Sequence, residues 1–269
     1  MLAWLKAFLS NTTQIANVNG SFSDAGHITS GVPQGSVLGP TFFLLFVNDI
    51  DAIFSDTSVC MKRFADDVKL YSSFVSSSND LQTVCDELKK WADKWQMRIA
   101  FNKCTVHRIS NQGSRTTGNP VYSIAGYQLG QSNETSDLGI IIDNKLNFNS
   151  NTSQIAHNAH IRTSLILRAL VSTDPKILTK AFITYVRPLL EYCTPVWSLH
   201  TVCNINKIES CQRWFTKRIK GLYGLHYSQR LTFLGLETLE VIRIKYDLMC
   251  YKILNSEVSL NCNFSIYQI

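Results

Sequence analysis

Two adjacent carboxylates, Asp66 and Asp67, interrupt an apolar stretch and constrain everything around them. Ile53-Phe54 and Val59-Cys60 precede them, and the run from Val68 to Val75 follows. That pattern predicts a strand, a tight turn holding both Asp, and a return strand, with Phe64 and Tyr71 on the paired strands. Asp favours turns for its own reasons, so the pair alone would be only a solvated hairpin tip. Its neighbourhood says more. Upstream, Ser30-Gly31-Val32-Pro33-Gln34-Gly35-Ser36-Val37-Leu38-Gly39-Pro40 forms a glycine- and proline-rich loop that opens into an apolar run. Glycine lets backbone approach a ligand closely, and Pro33 stiffens the entry. Pro40 suits the first turn of a helix reaching about Ile53.

The chain has 269 residues, 45% of them hydrophobic, enough to bury a sizeable core. Its longest apolar run, Phe42 to Val47, is too short to span a bilayer, and no signal peptide is evident at the start. The eight Cys show no zinc-like spacing and read as reduced thiols of an intracellular protein, nuclear or cytoplasmic and not secreted. Charge is uneven: residues 1–150 carry a net −1 and residues 151–269 a net +7, so the second part is the expected contact for a polyanion.

In chain order, Leu2, Leu5, Phe8 and Leu9 fit a helix, and Ile15 to Ile28 read as a hairpin turning at Asn19-Gly20. After the Asp pair comes a helix from about Asn79 to Met97, its apolar face Leu81, Val84, Leu88, Trp91 and Trp95, the two Trp read as core. Lys103 precedes a strand from Thr105 to Ile109. Gly126 punctuates a further hairpin, and Leu138 to Asp143 is an apolar strand. From Asn151 onward the pattern is helical throughout, with Asp174-Pro175 as N-cap and first-turn proline and a last helix from Leu239 to Leu254. Arg213, Lys217 and Lys220 fall at i, i+4 and i+7 opposite Phe215; that stripe either tracks phosphates or is a wet helix face.

The Gly31–Pro40 loop, the Phe64-Ala65-Asp66-Asp67 turn, the Leu138-Gly139 strand and the segment Val186 to Tyr192 with Pro195-Val196-Trp197 together resemble a non-LTR (LINE-type, jockey-like) retrotransposon reverse transcriptase, from Trp4 to about Leu254. The resemblance implies an α+β fold: a partial palm of antiparallel strands and helices over residues 1–145, then an all-helical thumb and C-terminal extension over 146–269. It implies RNA-directed DNA polymerisation by a two-metal Mg²⁺ mechanism, with RNA template, DNA primer and deoxynucleoside triphosphates as partners and no membrane. Asp66 and Asp67 become metal ligands and catalytic groups, and Lys103 a group near the leaving pyrophosphate. Pro33, Gln34, Gly35, Phe64 and Ala65 become template and nucleotide contacts.

The family's third palm carboxylate belongs to a strand ahead of the opening helix, and Asp24, Asp49 and Asp51 lie in other contexts. The expectation is therefore an internal piece of a longer polyprotein with an incomplete Mg²⁺ site, inactive by itself. Departures point the same way: Val68 stands for the usual Thr, Ile99-Ala100 for an aromatic-Asn pair, Trp214 interrupts an Arg pair, and Ile242 takes the place of a basic neighbour of Arg243. The alternative is a non-enzymatic nucleic-acid-binding remnant. A group II intron maturase fits less well, given Leu190-Glu191-Tyr192 and Trp197. The oligomeric state stays open.

Overall fold

The computed structural model describes residues 2–54, 57–73, 78–110, 120–199 and 201–258. They fall into two units, Met1–Val106 with Thr116–Gly130 and His107–Arg115 with Gln131–Ile269. Helices and short antiparallel hairpins make the chain α+β.

The first unit opens with α1 (Leu2–Leu9) and one long hairpin. In it β1 (Thr13–Gln14) pairs with β4 (Gly26–His27), and β2 (Asn17–Val18) with β3 (Ser21–Phe22). Asn19 and Gly20 turn it with φ of 51° and 88°, the left-handed pair that matches strand twist. Next come α2 (Gly39–Phe46), with Pro40 in its first turn, and a 3₁₀ segment at Asn48–Phe54. The sequence pattern suggested one helix to about Ile53 and put Ile53-Phe54 with the strand. Instead α2 stops at Val47, where bonding changes from Val47 N–H to Phe43 O to Ile50 N–H to Val47 O. The tighter turn brings Asp49 under two indole donors described below.

β5 (Cys60–Phe64) and β6 (Asp67–Tyr71) follow, then α3 (Ser78–Lys94). The expected continuation of the apolar run to Val75 partly lies outside the described residues. After a 3₁₀ turn at Phe101–Lys103 and β7 (Thr105–His107), β8 (Ser123–Ile124) pairs with β9 (Tyr127–Gln128) across Ala125-Gly126. Cys85, Tyr122, Ile124 and Leu129 form the core here, with Leu70 and Leu81 packed against it. Gln82 locks β8 to α3 by accepting from Ser123 N–H at 2.9 Å and donating to Ser123 O at 2.8 Å.

The second unit takes in most of β10 (Gly130–Ser132), then the hairpin of β11 (Glu134–Asp137) and β12 (Ile140–Asp143). Leu138 and Gly139, read from sequence as the start of the strand, are its turn, with φ of 47° and 84°. Glycine in the second position makes that reversal cheap. Asp143 then caps the loop into α4 (Asn149–Ala169): its carboxylate accepts from the Lys145, Asn147 and Phe148 N–H groups at 2.9, 3.2 and 2.7 Å. Burial works against its charge, but these donors outweigh it and hold the carboxyl below the usual range.

The remaining elements are helical: α5 (Pro175–Tyr185), α6 (Arg187–Glu191), α7 (Val202–Arg218), α8 (Tyr227–Leu234), which the sequence pattern did not separate, and α9 (Leu239–Leu254). Asp174 caps α5 by accepting from Lys176 N–H at 2.8 Å. Phe182 and Phe215 stack with centroids 4.2 Å apart, and Trp197 is fully buried with its indole donating to Tyr192 O at 2.9 Å. Glu209, buried on α7, accepts from the Tyr227 hydroxyl and from Leu239 N–H at 2.9 Å, tying α8 and α9 to α7.

Candidate active site and nucleic-acid interface

The Asp hairpin has a two-residue turn. Phe64 pairs with Asp67 and Arg63 with Val68, which leaves Ala65 and Asp66 at the tip. Ala65 takes φ of 51°, while Asp66, unlike the glycines of the other three tight turns, does not. A left-handed Ala costs about 1 kcal/mol, and Ala125 takes the same conformation, φ of 54°, at the first position of its own turn. Phe64, Ala65, Asp66 and Asp67 are all exposed, whereas Val59 at the base of the hairpin is buried. Arg63 anchors the outer end by donating to Val47 O at 2.5 Å, at the exit of α2. The loop that enters α2 is therefore connected to the hairpin through a single helix.

That loop holds itself together locally. Gly31 and Gly35 sit at φ of 89° and 79°. Ser36 Oγ donates to Pro33 O at 2.7 Å and accepts from Gly39 N–H at 3.0 Å. Gly39 is buried so tightly that a Cβ there would meet Ser36 Oγ at 3.0 Å and Pro33 O at 3.2 Å. Gln34 and Gly35 are left exposed at the tip and Pro33 is half-buried.

The other carboxylates have separate environments. Asp49 accepts from the indoles of Trp91 and Trp95 at 2.8 and 3.0 Å. The two Trp are thus half-buried and hydrogen-bonded, where the sequence pattern put them in the core. Lys103 is exposed at the end of its 3₁₀ turn and, among the described residues, makes no hydrogen bond to Asp66 or Asp67. Among the described residues, no group of three His, Cys, Asp or Glu side chains gathers where it could hold a metal. The Asp66–Asp67 pair offers hard oxygen donors suited to Mg²⁺, and so fits as part of such a site, not the whole of one.

On α7, Arg213 and Lys217 are exposed, each over an aromatic ring: Arg213 lies 4.9 Å from the Tyr227 centroid and Lys217 5.0 Å from that of Tyr223. Lys220 is exposed too, but α7 ends at Arg218, so it lies beyond the helix and not at the expected i+7 position. Sequence periodicity passed over Arg218, which stacks on Trp214 at 3.6 Å, because it looked only along one stripe. Trp214 also meets His160 of α4 edge-on. Burial, then the Arg218 and His157 charges, push the His160 imidazole below its ordinary value. In the same unit the Leu138-Gly139 turn and Tyr192 meet: the Tyr192 hydroxyl donates to Leu138 O at 3.0 Å.

The family model for reverse transcriptase (RNA-dependent DNA polymerase) matches residues 1–142. The chain belongs to the reverse transcriptase family. Curated relatives extend the match. The RNA-directed DNA polymerase from mobile element jockey of Drosophila funebris is 28% identical over 230 residues, 81% of this chain and 25% of that protein. Its Drosophila melanogaster counterpart is 28% identical over 228 residues, 81% of this chain and 25% of that protein. The probable RNA-directed DNA polymerase from transposon X-element of Drosophila melanogaster is 26% identical over 227 residues, 81% of this chain and 24% of that protein. The chain spans about a quarter of the length of the relatives it matches. Its likeness to the non-LTR, jockey-type members reaches past the family model into the helical unit. No helix among the described residues is long and apolar enough to cross a membrane.

Proposed function

We propose that the chain is the part of an RNA-directed DNA polymerase that carries the paired active-site aspartates and the helical grip on nucleic acid. Residues 1–145 correspond in this reading to part of the palm, and residues 146–269 to the thumb with a C-terminal extension. The observation that carries it is the turn at Ala65-Asp66, which presents two exposed carboxylates and is anchored through Arg63 to the helix that follows the Gly31–Pro40 loop.

In this reading Asp66 and Asp67 hold divalent metal, Mg²⁺ by the chemistry of their donors, and a pair of such ions when bound supplies charge neutralisation for the triphosphate and the primer 3′-oxygen. Pro33, Gln34, Gly35, Phe64 and Ala65 line the path of template and incoming nucleotide, where exposed backbone allows close approach. Lys103 sits toward the leaving pyrophosphate. Arg213, Lys217 and Lys220 contact phosphates of the RNA template or DNA primer, and the rings of Tyr223 and Tyr227 hold two of these cations in place. The +7 balance of residues 151–269 supports that assignment.

Titration with Mn²⁺, followed by paramagnetic broadening of backbone resonances, tests the metal assignment without requiring turnover. Broadening should centre on residues 64–68 and vanish in Asp66→Asn/Asp67→Asn. Broadening centred elsewhere, or unchanged in that variant, removes the hairpin from the metal site.

A further inference from the structure

α9 is buried on one side only. Leu239, Ile242 and Arg243 pack against the bundle, and the opposite side keeps Val241, Ile244, Leu248 and Tyr251 between 41% and 59% exposed. These four apolar residues have spacings of three, four and three, the alternation of a and d positions in a coiled coil, while Tyr246 and Met249, exposed by 40% and 50%, lie off that stripe. On that register Lys245 and Lys252 are the e positions, and Glu240 and Asp247 the g positions.

We propose that this face of α9 pairs with the same face of a second copy of the chain, as a parallel two-helix seam. The charge pattern selects both the partner and the direction. In a parallel pair each g residue meets the partner's e residue five positions on, which sets Glu240 against Lys245 and Asp247, half-buried and also accepting from Ser198 Oγ at 2.9 Å, against Lys252, acid against base at both steps. In an antiparallel pair e faces e and g faces g, so Lys meets Lys and acid meets acid. A short helix pair is ordinarily weak because the helix must form as it binds. Here α9 is already ordered: Thr238 caps it by accepting from Val241 N–H at 3.2 Å, and Glu209 holds Leu239 N–H. Lys245 reaches Glu237 within its own chain at the surface, and exchanging that exposed partner for Glu240 of the second copy is close to neutral.

The test uses the 269-residue chain in sedimentation equilibrium between about 1 and about 100 µM, a range that reads micromolar association. Self-association to a dimer is expected, and Ile244→Glu should abolish it with the circular dichroism unchanged. Lys245→Glu and Glu240→Lys should each weaken self-association about fivefold, because both symmetry-related pairs become like-charged. Mixing those two variants restores opposite charges at both pairs, and the mixture should recover wild-type affinity. A chain that stays monomeric throughout the range overturns the proposal, as does a dimer that survives Ile244→Glu. Failure of the mixed variants to recover overturns the parallel orientation.

Discussion

The Arg63 guanidinium donates to the Val47 carbonyl oxygen at 2.5 Å and so joins the strand before the Asp pair to the exit of α2. Val47 is almost wholly buried, and its carbonyl would lose a charged donor if Arg63 were removed. Arg63→Ala should lower stability by about 1.5–3 kcal/mol, the usual range for a hydrogen bond to a charged group. Hydrogen exchange provides the local readout: amides of β5 and β6 should lose protection while those of α7 keep theirs. Unchanged protection in the hairpin would mean that Val59 and the strand pairing alone hold it in place.

The exposed cations of the second unit make a separate prediction. Arg213→Ala/Lys217→Ala/Lys220→Ala should weaken binding of single-stranded RNA of any sequence, and should flatten the dependence of log affinity on log salt by about 2. Each lost phosphate contact removes one released counterion, which is why the slope, more than the affinity, identifies the role. A slope unchanged by the triple substitution would leave these residues as a solvated face that happens to cover two tyrosines.

The strand–turn–strand around Asp66 was legible because apolar runs and a turn residue point to the same hairpin, and the helical second half because its apolar period is unbroken. Leu138-Gly139 was misplaced for a physical reason: Leu is a poor guide to a turn, and only the glycine beside it hinted at one. Lys220 was misplaced because periodicity cannot show where a helix stops, and α7 ends two residues earlier at Arg218. Asp49 could not be read at all. Its indole donors, Trp91 and Trp95, lie 42 and 46 residues away, and no local pattern reports such a pairing. The segment Val186 to Tyr192 packs locally: Val186 and Leu190 are buried, and Glu191 joins Arg187 at 2.5 Å and the Tyr246 hydroxyl at 3.1 Å.

Seven cysteines among the described residues are free, and their environments divide them. Cys60, Cys193 and Cys203 are exposed and should react quickly with a thiol reagent, while Cys85 and Cys211 are buried and should not react until the chain unfolds. Burial pushes both of the latter thiols up to about 11 from the ordinary thiol value of 9.0. The unfolded chain therefore loses these protons first as pH rises. Their contribution to stability is complete below pH 9 and is lost as pH climbs through about 11. Denaturant midpoints measured across that window should fall, and Cys211→Ala should make the decline shallower. A decline of equal steepness in the variant would assign it to other groups.

The last prediction is that this chain by itself does not extend a primer on an RNA template. Two-metal transfer depends on holding both ions in fixed geometry against the reacting oxygens. Asp66 and Asp67 offer two carboxylates, and among the described residues no third acidic, His or Cys group gathers with them. Asp49 has both carboxylate oxygens committed to Trp91 and Trp95, and withdrawing it would leave two half-buried indole donors unpaired. Asp24 stands exposed in the first hairpin and Asp51 in the 3₁₀ segment after α2. In a cage of two carboxylates the triphosphate would be poorly neutralised, and its alignment with the 3′-hydroxyl would be lost along with that charge. Primer extension with Mg²⁺ or Mn²⁺, run beside Asp66→Ala/Asp67→Ala, should give equal and negligible product in both. Product from the unaltered chain that disappears in the double variant would show that another carboxylate completes the site. Asp24→Asn, Asp49→Asn and Asp51→Asn would then identify it, and the Asp49 variant should also reveal itself by a change in Trp91 and Trp95 fluorescence.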